Sequence, residues 1–186
     1  MVGPFYLARA LGLDAATVGI VMSIGPIVSV LSGVLAGRIV DRLGAPFMVI
    51  VGTILMAAGS FALSVIPARF GIAGYIAGIV VLSLGYQLSQ AANNTAAMMD
   101  VSPDQRGVMS GILNLSRNLG LITGASMMGA VFALASATTD ITTAHPAAVA
   151  TGMRITFALA AILIVCAIVI ALGSYRRTNE RRVGKA

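Results

Sequence analysis

The spacing of charged side chains limits this sequence more than any other feature. From Ala15 to Gly37, between Asp14 and Arg38, no side chain carries a formal charge. Comparable stretches run from Leu43 to Ala68, from Phe70 to Met99 and from Ile155 to Tyr175. A further one, Gly107 to Thr139, is broken only by Arg117. A helix crosses the hydrocarbon core of a bilayer in about 20 apolar residues, so each stretch is long enough to span. In lipid every backbone N–H and C=O must be paired within its own segment, which makes the spans helices. The chain is therefore expected to be all-α, a polytopic membrane bundle with spans over about 15–37, 46–67, 71–98, 104–135 and 153–175. Residues 1–8 read as the last turns of a sixth helix. Residues 1–175 form one membrane domain in this reading, and 176–186 a basic cytoplasmic tail.

Composition excludes the main alternatives. Hydrophobic residues make up 58% of the chain and charged ones 10%, whereas a soluble domain carries about a quarter charged residues to cover its surface. The net charge of +6 comes without Trp and with only 5% aromatics, so the stacking platforms of nucleic-acid binders are missing. Attraction to anionic lipid headgroups is the simpler account of the charge. One cysteine, Cys166, and one histidine, His145, cannot build a metal centre, a disulfide or a Cys-His dyad. Cys166 reads as a small packed hydrophobe. No catalytic residue, metal or cofactor is expected, and nothing in the residues points to an enzyme. Arg9 interrupts the opening apolar stretch, which argues against a signal peptide.

Helix-end signals agree with the spans. Asp14 is placed to cap the first, and Pro46, Pro67, Pro103 and Pro146 fall near ends. Ser102 to Gln105 reads as a capping box, and Gly25-Pro26 predicts a kink in the first span. Glycine pairs at 33/37, 74/78, 107/111 and 120/124 predict close helix contacts. Lys and Arg are asymmetric between the two sides. Arg38, Arg42, Arg106, Arg176, Arg177, Arg181, Arg182 and Lys185 fall on one, and Arg9, Arg69 and Arg154 on the other. The richer side faces the cytoplasm, so the C-terminus is expected inside.

Within the spans, polarity is sparse and patterned. Arg117 lies about 15 Å along its helix from Gly107, near mid-bilayer, where a charge normally faces protein or a water-filled cavity. Asn114 and Ser110 share its side. On the third span Ser83, Gln87, Gln90 and Asn94 form a stripe, with Tyr86 and Asn93 nearby. Gln87, Gln90, Asn94, Asn114 and Arg117 are therefore candidates for a substrate path, with interhelical hydrogen bonding as the competing role. The acids Asp14, Asp41, Asp100, Asp104, Asp140 and Glu180 all fall at span ends, in loops or in the tail. None is placed to carry a proton through the bilayer.

Three stretches carry a resemblance. GRIVDRLG, with Gly37, Asp41, Arg42 and Gly44, resembles the signature loop of the major facilitator superfamily, although Ala45 and Pro46 stand where basic residues usually follow. Residues 100–132, with RGVMSG and NLSRNLG, resemble a pattern of drug:proton antiporters, above all the fourteen-helix branch. The opening PFYLARALGLDAATVGIV resembles the helix end and short loop that precede the signature loop there. The resemblance implies a gating role for the loop, which in the family contacts the opposite half. It also implies alternating-access transport of a small molecule, with proton-coupled export as the leading expectation. The five spans would match the family's last five helices, with a preceding half, or a separate partner chain, carrying the proton-titrating acid. A metabolite or sugar permease, or a non-transporting fragment that needs such a partner, remains open at this level.

Overall fold

The structure, a computed structural model, describes residues 2–99, 101–136 and 145–183. Asp100, Asp140, Lys185 and the end of the Gly107–Thr139 stretch lie outside the described residues. A short helix α1 (Val2–Phe5) continues into a π-helical turn, Tyr6–Ala10. Five long helices follow: α2 (Ala15–Leu43), α3 (Ala45–Val65), α4 (Pro67–Met98), α5 (Arg106–Ala135) and α6 (Pro146–Val183). Each of the five is long and apolar enough to cross a membrane.

The ends show which sequence signals act. Asp14 caps α2 with its side chain, accepting from the backbone N–H of Ala16 at 3.1 Å and of Thr17 at 3.2 Å. All four predicted prolines sit in the first turn of a helix, where their missing N–H costs nothing. The capping box does not form. Ser102 adopts the extended N-cap backbone without a side-chain cap bond, because a 3-10 turn, Pro103–Gln105, intervenes before α5. The Gln105 N–H instead bonds the Ser102 carbonyl at 3.0 Å. Nor is Pro26 where helical geometry is lost, since α2 runs through it as one helix. The break lies in α4 at Gly71, with φ 54° and ψ −127°, a left-handed conformation that glycine adopts without Cβ strain. Pro67–Phe70 thus form one turn of the α3–α4 reversal.

α6 begins earlier than the apolar run suggested. Arg154 set the expected boundary near 153, yet the helix starts at Pro146. Val149 and Met153, at 0% and 1% exposure, anchor those extra turns in the core. At its far end the backbone stays helical to Val183, through most of the stretch expected as a separate tail.

α3 and α4 form the antiparallel centre of the bundle. α2 packs on the α4 side, α6 on the α3 side, and α5 mainly against α6. Two apolar clusters hold them. One gathers Tyr6, Leu7, Val21, Leu63, Tyr75, Phe132, Val149 and Met153, and so joins the π turn and all five long helices at one end. Tyr6 and Tyr75 stack there with ring centroids 6.3 Å apart. The other gathers Ala36, Val40, Ala45, Met48, Leu88 and Ala92, from α2, α3 and α4 alone. The bundle is thus closed by every long helix at one end and by three at the other.

Candidate functional site

The three-helix end carries the signature motif. α2 stops at Leu43 and α3 starts at Ala45, so Gly44 alone makes the reversal, at φ 89°. Only glycine takes that backbone without strain, which explains the residue type on local grounds. Its N–H closes the last turn of α2 on the Val40 carbonyl at 2.9 Å. Asp41 and Arg42 were expected in a loop, but they belong to that last helical turn. Asp41 therefore cannot cap the start of its own helix. Among the described residues, neither side chain makes a hydrogen bond or salt bridge, and both are exposed. A carboxylate at a helix C-terminus opposes the helix dipole, an arrangement that gains from a partner outside the helix. Gly37, one turn earlier, borders open space in which an added Cβ would touch nothing. Among the described residues, nothing covers the Gly37–Asp41 face of α2.

Towards the same end, α4 and α5 meet through polar side chains. Arg117 donates from Nη2 to Oδ1 of Asn94 at 3.4 Å. With the Gln90 amide turned so that its oxygen faces the guanidinium, that oxygen accepts from Nε at 2.9 Å and Nη2 at 3.2 Å. The Tyr86 hydroxyl lies 3.4 Å from the same corner of the Gln90 amide. Three of the five candidate path residues are therefore brought together: Gln90, Asn94 and Arg117. Gln87 belongs elsewhere. Its amide donates to the Ser29 carbonyl of α2 at 2.7 Å, across the space left by Gly33, and so bonds two helices. Asn114 is exposed and makes no side-chain hydrogen bond among the described residues.

Other polar contacts are structural and were invisible in the sequence pattern. The Ser64 hydroxyl bonds the Arg154 carbonyl at 2.9 Å, joining α3 to α6, and Thr53 meets Ser89 at 3.5 Å between α3 and α4. A hydroxyl among apolar residues gives no clue to which helix it faces. Cys166 was expected packed, but it is exposed. It lines an open apolar cleft of about 680 Å³ between α3 and α6, with Ile54, Phe61, Ala158, Ile162 and Val165. No side chain there can hydrogen-bond a polar solute strongly, so the cleft is a groove for apolar groups. Among the described residues, the sequence-predicted polar site residues other than Asn114 fall in the α4–α5 cluster, at the α2–α3 turn and at the Gln87–Ser29 contact.

Comparison with known proteins is consistent across the chain. The model of the Major Facilitator Superfamily matches residues 1–186. The Uncharacterized transporter YebQ of Escherichia coli is 30% identical over 125 residues, covering 67% of this chain and 27% of its own length. The Multidrug efflux pump LfrA of Mycolicibacterium smegmatis is 27% identical over 127 residues, 68% of this chain and 25% of its own. The Riboflavin transporter RibZ of Clostridioides difficile is 23% identical over 177 residues, 95% of this chain and 39% of its own. The chain thus spans well under half the length of these relatives.

Proposed function

The chain belongs to the major facilitator superfamily, and we propose that it is the C-terminal portion of a transporter that exports small amphipathic molecules by alternating access. As a family member it is a multi-pass membrane carrier and not an enzyme. The observation that carries the proposal is the Arg117–Gln90–Asn94 cluster, polar chemistry held between two otherwise apolar spans. Intramembrane charge is costly and usually marks a path or a functional cavity. The efflux reading draws on the Multidrug efflux pump LfrA among the relatives.

In this reading Gln90, Asn94 and Arg117 line the solute path, with Asn114 one turn away, and Gln87 fixes α2 against α4 behind them. Gly37, Asp41, Arg42 and Gly44 form a latch whose partner is the preceding half of the transporter. The uncovered Gly37–Asp41 face and the unmatched charge of Asp41 support that role. The Lys/Arg asymmetry supports a cytoplasmic position for this end and the C-terminus, with the cell membrane as the location in this reading. Asp14, Asp41 and Asp104 sit at helix ends. Coupling to protons therefore draws on acids elsewhere in the transporter.

The test is dye efflux from cells that make the complete transporter, with and without a protonophore. Retention of dye on adding the protonophore is expected, and unchanged export would reject proton coupling. A second reading, uptake of a metabolite, is favoured by one observation: RibZ, named a riboflavin transporter, matches 95% of this chain. Accumulation of riboflavin without any change in dye efflux would select it.

A further inference from the structure

The guanidinium of Arg117 is held in place but not neutralised. Gln90 and Asn94 give it amide oxygens, which accept N–H bonds and carry no charge. Both sets of contacts fall on Nε and Nη2. Nη1, with two N–H donors of its own, makes no hydrogen bond among the described residues. No carboxylate among the described side chains forms a salt bridge with it. Asp14 and Asp41 lie at opposite ends of α2, and Asp104 precedes α5, roughly 20 Å from Arg117 along the axis.

This arrangement differs from an arginine paired with a carboxylate, whose charge is balanced by its partner. Here two neutral amides fix the orientation of the guanidinium and leave its charge and the Nη1 donors available. The free Nη1 can donate to a carboxylate oxygen, and such a charge-assisted hydrogen bond is stronger than one to a neutral amide.

We infer that Arg117 is an anion-binding residue whose free Nη1 donates to a carboxylate. Two sources share that chemistry: an amphipathic carboxylate solute, which rests on the transport reading above, and an acidic side chain from transporter sequence beyond this chain.

The test compares dansylglycine with its uncharged amide, by fluorescence titration in neutral detergent micelles, on the 186-residue chain and on the complete transporter. On the chain the carboxylate should bind about tenfold more tightly, the order expected when a charge-assisted hydrogen bond replaces a neutral one. Arg117→Gln should bring the ratio to one. So should Gln90→Glu, which neutralises the guanidinium from within and leaves Arg117 present. Arg117→Lys should retain a reduced preference. In the complete transporter a persisting preference assigns the site to a solute. A preference that vanishes there, though the chain shows it, assigns it to an acidic side chain. Equal binding of the two probes to the chain overturns the inference, as does a preference that survives both Arg117→Gln and Gln90→Glu. Dye efflux is read separately: normal export with equal probe binding removes the anion site and leaves the transport reading intact, and lost export with a clear preference does the reverse.

Discussion

Glycines at helical spacing occur on both α4 and α5, and the two helices use them in opposite ways. Along the α3–α4 seam the glycines are where the backbones touch. A Cβ added at Gly52 would lie 2.5 Å from the Ser89 nitrogen, and one at Gly85 would lie 2.6 Å from the Met56 nitrogen. At Gly59 it would meet the Leu82 nitrogen at 2.6 Å, and at Gly78 the Leu63 side chain at 2.6 Å. On α5, a Cβ at Gly107, Gly111, Gly120 or Gly124 would touch nothing within 4 Å. The small-residue pattern permits close approach but does not choose the neighbour. In lipid, where helices associate by packing rather than by hydrophobic exclusion, the pattern acts only where a complementary surface is present.

The seam is the place to break that comparison most severely. Gly85→Leu should destabilise the chain by about 3 kcal/mol or more, because the obstructing atoms are backbone and cannot swing aside. Gly52→Ala should cost less, roughly 1–3 kcal/mol, since one methyl requires the helices to part by only part of its diameter. Reversible unfolding of the purified chain in mixed micelles, followed by circular dichroism, measures both. Two stable variants would show that α3 and α4 are not in backbone contact.

A smaller effect is expected one interface away. Ser64→Ala removes the hydroxyl that joins α3 to the Arg154 carbonyl of α6. Interhelical hydrogen bonds in membranes average about 0.6 kcal/mol, so the loss should be of that order. The same unfolding assay should separate it clearly from the glycine variants. A cost as large as that of Gly52→Ala would mean that the α3–α6 contact depends on this bond rather than on Val149 and Met153.

These contrasts also show what the sequence carries. Charge spacing was enough for the number and class of helices, because lipid penalises a charge at any depth of the core regardless of neighbours. Helix starts were legible where a local signal was enough, as at Asp14 and the four prolines. Ser102 failed as a cap because a 3-10 turn moved the helix start away from it. The pairing of Arg117 with Gln90 and Asn94 lies between those cases. Each residue stood out by its polarity, but nothing in either span reported that the two faces meet. Gln87 has the same residue type and the same stripe as Gln90, yet it bonds α2. Gly44 was readable from its motif, and its physical reason, a positive φ between two abutting helices, needed the backbone.

A weaker effect, at the other end of α2, is set by pH. Thr17 donates its hydroxyl to the Asp14 carboxylate at 2.6 Å and its N–H to the same group, which holds that carboxyl below its usual range. A depressed folded pKa contributes stability above the unfolded value of about 3.9. That contribution is lost as pH falls through the lower folded value. The cap is exposed, so the change should be slight, and Asp14→Asn should flatten the acid limb of the stability curve. An unchanged limb would mean that the cap bonds do not survive in water.

The smallest expected effect sharpens the comparison most. Gly111→Ala on α5 adds a methyl group that would touch nothing among the described residues. In the helix interior alanine is favoured over glycine by about 1 kcal/mol or less, so the isolated chain should be unchanged or slightly more stable. In the complete transporter the outcome depends on what faces α5. If the preceding half packs there as closely as α4 packs on α3, the same methyl should lower dye efflux although the chain's own stability is untouched. The matched control is Gly78→Ala, which presses on Leu63 and should weaken both. Loss of efflux without loss of stability would identify the α5 glycines as a seam whose second surface lies outside this chain. Destabilisation of the chain alone would show instead that α5 is already packed, and the contrast between the two helices would disappear.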